Sequence, residues 1–156
     1  KRAGVPEALL LAIVREESGF DPNVVSYAHA YGLTQMIVPT ARRFAEKPGR
    51  VTPARLLEPG FNAPIGARFL AFELGRYGRA APLAVAAYNA GEGAVDRWLR
   101  GPSGQLDLDE FVEAIPYDQT RNYTKRVLSS AFAYRALYAK PGDDRVPSLP
   151  LRPRPR

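Results

Sequence analysis

The sequence predicts an all-α domain, and three observations carry that prediction. Apolar residues recur at steps of three and four along most of the chain. No run of alternating β-branched residues bounded by turn dipeptides argues for a substantial sheet. The 156 residues, 46% of them hydrophobic and 24% charged, are enough for one core of ordinary globular composition. Little or no sheet is therefore expected.

Pro6 sits where a first helical turn tolerates it, and Leu9, Leu10, Ile13 and Val14 keep helical spacing until Ser18 and Gly19 break it. This predicts a first helix from Pro6 to Glu17. Thr40 is placed to cap a short helix through Phe44. Asn62 with Pro64 is expected to open a longer one, its apolar contacts supplied by Ile65, Phe69, Phe72 and Leu74, before Gly78 stops it. Two further helices follow, about Leu83 to Asn89 and Gly93 to Leu99. Gly101 to Gly104 reads as a loop, Leu108 to Ile115 as a short helix, and Thr120 to Tyr138 as a long one carrying Tyr123, Val127, Leu128, Phe132 and Leu137. Residues 1–140 form the expected domain. From 141 to 156, Pro141, Pro147, Pro150, Pro153 and Pro155 recur among Arg and Leu without periodicity, which predicts an extended or disordered tail.

Composition removes much chemistry. There is no cysteine and a single histidine, His29, which excludes disulfides, thiol nucleophiles and the usual multi-histidine metal sites. No cofactor is expected. Arg15, Glu16 and Glu17 close the longest early apolar run, far short of the roughly 18 residues a spanning helix needs, so no integral membrane segment is expected. The net charge of +6 favours anionic partners, though Arg152, Arg154 and Arg156 lie in the tail. Charge alone is the only argument for nucleic acid, and no nucleic-acid-binding signature accompanies it. The chain begins at Lys1 with neither Met nor a signal-peptide pattern, as a fragment or mature form would.

The end of the first helix is the most informative place. At about 100° per residue, Glu17 falls near the centre of the face carrying Leu9, Leu10, Ile13 and Val14, with Glu16 at its edge and Arg15 opposite. Burying a carboxylate raises its pKa, at about 1.4 kcal/mol per unit. Two readings stand side by side. Glu17 is a general acid, protonated near neutral pH and able to donate to a glycosidic oxygen, or the helix frays early and Glu17 reaches solvent or caps a neighbour.

Four short segments occur in order: Glu17-Ser18-Gly19-Phe20-Asp21-Pro22, Gly32-Leu33-Thr34-Gln35-Met36, Ala87-Tyr88-Asn89-Ala90-Gly91, and Ile115 through Tyr123. Together they resemble the catalytic domain of the soluble lytic transglycosylases of bacterial cell walls, over about Val5 to Tyr138. The resemblance implies a lysozyme-like helical fold with a substrate cleft. It also implies that Glu17 is the single catalytic glutamate, protonating the bond between N-acetylmuramic acid and N-acetylglucosamine and then, as a base, helping the muramoyl 6-hydroxyl attack its own anomeric carbon. By the same resemblance Ser18 lies near the substrate's N-acetyl group, Gln35 and Met36 belong to the element lining the cleft, Tyr88 and Asn89 approach acid and sugar, and Gln119 and Tyr123 belong to the closing motif.

Read alone, these residues have plainer roles: Ser18 and Asp21 as turn residues, Gln35 on a surface turn, Tyr88 in the core, and Asn89 ending a helix. Trp98 is expected to pack with Val95 and Leu99, and His29 to be exposed. Two departures stand out. Gln119 replaces the family's frequent Glu, removing a charge, and Thr34 stands where the family often has Met.

Glycosidases ordinarily need two carboxylates. Here the substrate's 2-acetamido group and hydroxyl can stand in for the second, and the sequence leaves open whether Asp96, Asp107, Asp109, Glu110, Glu113 or Asp118 approaches Glu17. The expected enzyme is a peptidoglycan lytic transglycosylase of the periplasm or cell envelope, its partner the glycan strand, with an N-terminal region of the larger protein missing from this chain. The alternatives are a goose-type lysozyme-like hydrolase and a non-catalytic peptidoglycan-binding module.

Overall fold

The computed structural model describes residues 4–138; the tail expected at 141–156 lies outside them. Eight α-helices are present among the described residues, with one two-stranded ribbon. Helix α1, Glu7–Ser18, starts after Pro6 and stops at Gly19, whose left-handed φ of 59° lets its N–H donate to Arg15 O at 2.9 Å. Strands β1, Ala30–Tyr31, and β2, Met36–Ile37, pair antiparallel around the Gly32–Gln35 turn, Ala30 opposite Ile37 and Tyr31 opposite Met36.

Helix α2, Val38–Phe44, begins one turn earlier than Thr40 predicts: Ile37 is its N-cap, and Pro39, with its φ already helical, sits in the first turn while Thr40 falls inside. After a 3-10 turn at Pro48–Arg50, the four-residue α3, Pro53–Leu56, is capped by Thr52, which accepts from Arg55 N. Helix α4, Pro59–Arg76, opens at Pro59, three residues before Asn62. Pro64 is tolerated inside it, and Asn62 turns its side chain inward instead of capping.

Pro82 lies in the first turn of α5, Ala81–Ala90, and Gly91 ends the helix with φ 82°. Helix α6, Glu92–Arg100, follows at once. The Pro102–Gln105 segment, expected as loop, is a 3-10 turn in which Gly104 is obligatory, since a Cβ there would meet Leu99 O at 1.9 Å. Helix α7, Leu108–Glu113, carries a capping box between Asp107 and Glu110 and ends two residues before Ile115, ahead of Pro116. Helix α8, Asp118–Tyr138, starts two residues before Thr120.

Two apolar clusters hold these elements together. One gathers Leu9 and Ile13 of α1, Ile65 and Leu70 of α4, Ala84, Val85 and Tyr88 of α5, and Tyr123 and Val127 of α8. The other joins Leu83 and Ala87 of α5 to Val95, Leu99, Phe111 and Ile115. Helix α5 is thus buried from Ala81 to Tyr88 and serves both, which is why its sequence is apolar on all sides. Each Leu, Ile or Phe so buried contributes roughly 1.5–3 kcal/mol of transfer free energy. The most extensive pairing between elements is α1 along α8. No helix among the described residues is long and apolar enough to cross a membrane.

Candidate active site

Glu17 lies in the last turn of α1, three and four residues beyond the buried Val14 and Ile13, so the helical period turns it toward α8. There Tyr123, 4% exposed, donates from its hydroxyl to Glu17 Oε1 at 2.6 Å. Burial pushes the Glu17 carboxyl up to about 7, the negative charge of Glu16 adds to the rise, and the Tyr123 hydrogen bond opposes it. Glu16 itself is drawn aside by Arg126, whose Nε donates to Glu16 Oε2 at 2.6 Å. Burial and the nearby Glu17 charge raise the phenols of Tyr123 and Tyr88, so both stay protonated donors near neutral pH.

Tyr88 spends its proton on Thr34 O at 3.1 Å, tying α5 to the Gly32–Gln35 turn. Ser18 Oγ is within hydrogen-bond distance of Val14 O at 3.1 Å and Leu33 O at 3.0 Å, tying the end of α1 to the same turn. Gln35, at a left-handed φ of 46°, donates from Nε2 to Val24 O and Gly32 O. Both acceptors are backbone carbonyls, Val24 O in the segment before β1 and Gly32 O in the turn, and Oε1 is its remaining polar atom. Asn89 Oδ1 accepts from Thr120 Oγ1 at 2.8 Å, joining α5 to α8.

The structure therefore gathers Glu17, Ser18, Tyr88 and Tyr123 around the end of α1, with Gln35 in the turn that Ser18 and Tyr88 hold. Asn89 sits one residue beyond Tyr88 and is bridged to α8. Gln119 is exposed, next to Thr120. Met36, expected in the groove, is 2% exposed and packs in the core. Alternation along β2 sends its side chain inward and that of Ile37 outward.

The plainer expectations also find their places. Asp21 Oδ1 accepts from Asn23 N at 2.8 Å, bracing the Asp-Pro turn. Trp98 packs against the second cluster and meets Tyr117 edge-on at 5.2 Å, and His29 is exposed. Asp96 is bound by Arg76 and Tyr77, Glu113 by Lys125, and Asp118 by Arg121. Glu16 is the carboxylate whose charge acts on Glu17. Among the described residues no three His, Cys, Asp or Glu side chains converge as metal ligands would.

Sequence reasoning missed the support beneath the turn. Asn62, 0% exposed, accepts from Thr34 N at 2.9 Å and Thr34 Oγ1 at 2.6 Å, and donates to Tyr31 O and Leu56 O, both at 2.8 Å. All four of its hydrogen-bonding positions are filled. Gly32 and Gly66 permit this closeness: a Cβ on Gly32 would meet Leu56 O at 2.2 Å, and one on Gly66 would meet Thr34 Oγ1 at 2.5 Å. A lone Asn ahead of a proline gives no sign of such a role, because two of its three partner residues, Thr34 and Tyr31, lie 28 and 31 residues away in sequence.

A helical domain with an inward-facing glutamate closing its first helix is of the lysozyme-like class. Residues 1–110 match the family described as the transglycosylase SLT domain, and the chain belongs to that family. Over 134 residues it is 38% identical to the soluble lytic murein transglycosylase of Escherichia coli K12, covering 84% of this chain and 21% of that protein. It is 37% identical over 138 residues to a putative soluble lytic murein transglycosylase of Haemophilus influenzae, covering 87% of this chain and 23% of the relative. The crystal structure of the 70 kDa soluble lytic transglycosylase of E. coli superposes with a TM-score of 0.86 at 34% identity, over 96% of this chain and 25% of that one. The chain thus spans about a fifth to a quarter of the length of these relatives.

Proposed function

We propose that this domain cleaves the β-1,4 bond between N-acetylmuramic acid and N-acetylglucosamine in peptidoglycan by intramolecular transglycosylation, leaving 1,6-anhydro ends. The observation that carries this reading is the Glu17 carboxyl, held near neutrality by burial and oriented by Tyr123. Protonated Glu17 gives its proton to the glycosidic oxygen as the bond from the muramic anomeric carbon breaks. The substrate's 2-acetamido group stabilises the cationic carbon. Glu17, now a carboxylate, takes the proton of the 6-hydroxyl while that oxygen closes on the same carbon, and no water is consumed. Family membership and the names of the relatives support this substrate class.

In this reading Ser18, Gln35, Tyr88, Asn89 and Gln119 line or shape the sugar groove, with Tyr88 and Ser18 fixing the turn that carries Gln35. Peptidoglycan lies outside the cytoplasmic membrane, which places the enzyme in the periplasm or cell envelope. The test is mass spectrometry of muropeptides released from purified peptidoglycan by the wild type and by Glu17→Gln. Products one water lighter than hydrolysis gives, absent with the variant, are expected. Reducing muramic acid ends would make it a lysozyme-like hydrolase. Wall binding without release would make it a binding module.

A further inference from the structure

Glu73 has no part in the chemistry at Glu17, yet it is 0% exposed and neither of its oxygens has a hydrogen-bond partner among the described residues. A carboxyl so placed is far better tolerated as the neutral acid than as an anion. The charged and titratable groups that act on it come from three helices. Arg76 and Tyr77 follow it at the end of α4, Glu92 begins α6, and Arg43 reaches in from α2. Arg76 and Tyr77 are committed to Asp96 of α6. Arg43 NH1 pairs with Glu92 Oε1 at 3.0 Å, its guanidinium lying over the Phe72 ring, 4.5 Å from the centroid. Helix α5, also packed on α4, has Tyr88 as its only titratable residue, and that hydroxyl is held by Thr34 O. Arg55 of α3 lies at the far end of α4, over Phe61.

These groups surround the corner between α5 and α6. Gly91 makes that corner at φ 82°, with nothing within 4 Å of where a Cβ would stand. Asn89 lies just before it and Glu92 directly after it. The Arg43–Glu92 pair therefore ties α2, which continues from the Gln35 turn through β2, to the corner that carries Asn89. Two segments assigned above to the sugar groove are thus joined by one ion pair, and Glu73 lies beneath it.

We propose that Glu73 is a positioning residue whose proton keeps this clasp between α2 and α6 closed. While Glu73 is neutral, Glu92 holds Arg43. Once Glu73 is charged, the two carboxylates repel and compete for Arg43, and the α5–α6 corner is freed together with Asn89. The effect on substrate rests on the peptidoglycan reading above; the clasp itself does not. Burial, with Glu92 adding to the rise, pushes the Glu73 carboxyl up to about 8, and opening to water returns it toward 4.5. Each pH unit between those values moves the balance about tenfold from closed toward open, and above them the shift is complete. Glycan held in the groove favours the closed form and must in return strengthen the hold of Glu73 on its proton. A second alkaline transition follows, distinct from that of Glu17. Loss of the Glu17 proton lowers kcat, whereas loss of the Glu73 proton loosens the groove and raises KM.

The test has two arms, both in the Glu17→Gln background so that Glu17 does not titrate. In the first, the carbon-labelled chain is taken through neutral and alkaline pH and followed by NMR at the Glu73 and Glu92 carboxyl carbons and at the methyl of Ala90, inside the corner. The expected result is one transition near pH 8 shared by Glu73 and Ala90, and no Ala90 transition when Glu73→Gln is added. In the second, binding of peptidoglycan strands is measured over the same range. Affinity should weaken at least about fivefold across the transition with Glu73 present, and stay level with Glu73→Gln. Should Glu73→Gln fail to fold, Glu92→Gln, at a partly exposed position, replaces it: the loss of that charge should move the Ala90 transition to lower pH. A Glu73 carboxyl titrating near 4.5 overturns the proposal, as does an Ala90 methyl that does not follow it. Affinity that falls equally with and without Glu73 overturns its control of the groove. Absence of strand binding at every pH, with Ala90 still following Glu73, would remove the peptidoglycan reading and leave the clasp standing.

Discussion

The Tyr123 hydroxyl reaches Glu17 Oε1 at 2.6 Å, a bond made across 106 residues of sequence. It favours the ionised carboxyl and so restrains the rise that burial imposes. Tyr123→Phe should therefore carry the Glu17 pKa above 7, moving the alkaline limb of the activity profile to higher pH. Loss of orientation should lower kcat about tenfold at pH 6. The pH dependence of kcat for wild type and variant checks both, and a limb that moves downward would contradict the role given to Tyr123.

A general acid must hold its proton when the bond breaks. With Glu17 near 7, kcat/KM should fall about tenfold per unit above neutrality. Glu16 contributes to that value through its negative charge, so Glu16→Gln should shift the limb to lower pH while leaving the optimum rate within a few-fold. A profile recorded for the two proteins in one buffer series decides it.

Glu73 of α4 is 0% exposed, with neither carboxylate oxygen hydrogen-bonded among the described residues. Burial pushes it up to about 8, the neighbouring Glu92 adds to the rise, and Arg76 and Arg43 only partly offset it. The folded state thus keeps a proton that the unfolded chain releases near 4.5. Stability contributed by that proton is full below about 4.5 and is lost as pH rises toward 8, at about 1.4 kcal/mol per unit. Glu73→Leu, close in volume, should unfold at higher denaturant than wild type at pH 8 and differ little at pH 4.5. The shallower slope that remains belongs to Glu17, whose shift has the same sign. Urea unfolding at several pH values measures this.

Asn62→Ala should cost roughly 3 kcal/mol, since it strands two carbonyls and the Thr34 donors inside the protein. Gly66→Ala should lose a similar amount by forcing Thr34 aside. Both changes act beneath the Gly32–Gln35 turn, so activity should fall further than stability alone predicts, and thermal melts alongside turnover at a temperature where both variants are folded test it.

The parts legible in the sequence were those written in local spacing. Glu17 continues the stripe of Leu9, Leu10, Ile13 and Val14, and the structure buries that stripe's centre against α8. Helix starts were harder wherever two residues competed for the role. Thr40 reads as a cap, yet the helix begins at Val38 with Pro39 in its first turn; Asn62 reads as an opening, yet Pro59 provides it and frees Asn62 to serve the core. Glu73 and Thr34 were invisible because their importance comes from Glu92, Asn62 and Gly66, none of them near in the chain.

The pairing of the first described helix with the last also bears on the protein's life before it is finished. Until α8 folds back along α1, Glu17 lacks the Tyr123 hydroxyl and the burial that α8 supplies, and a more exposed carboxyl is ionised at neutral pH with no proton to give. On the proposed function, a chain lacking α8 should therefore be a poor acid toward glycosidic bonds however much of the rest has folded. Synthesis order alone postpones the proposed proton transfer until α8 has left the ribosome.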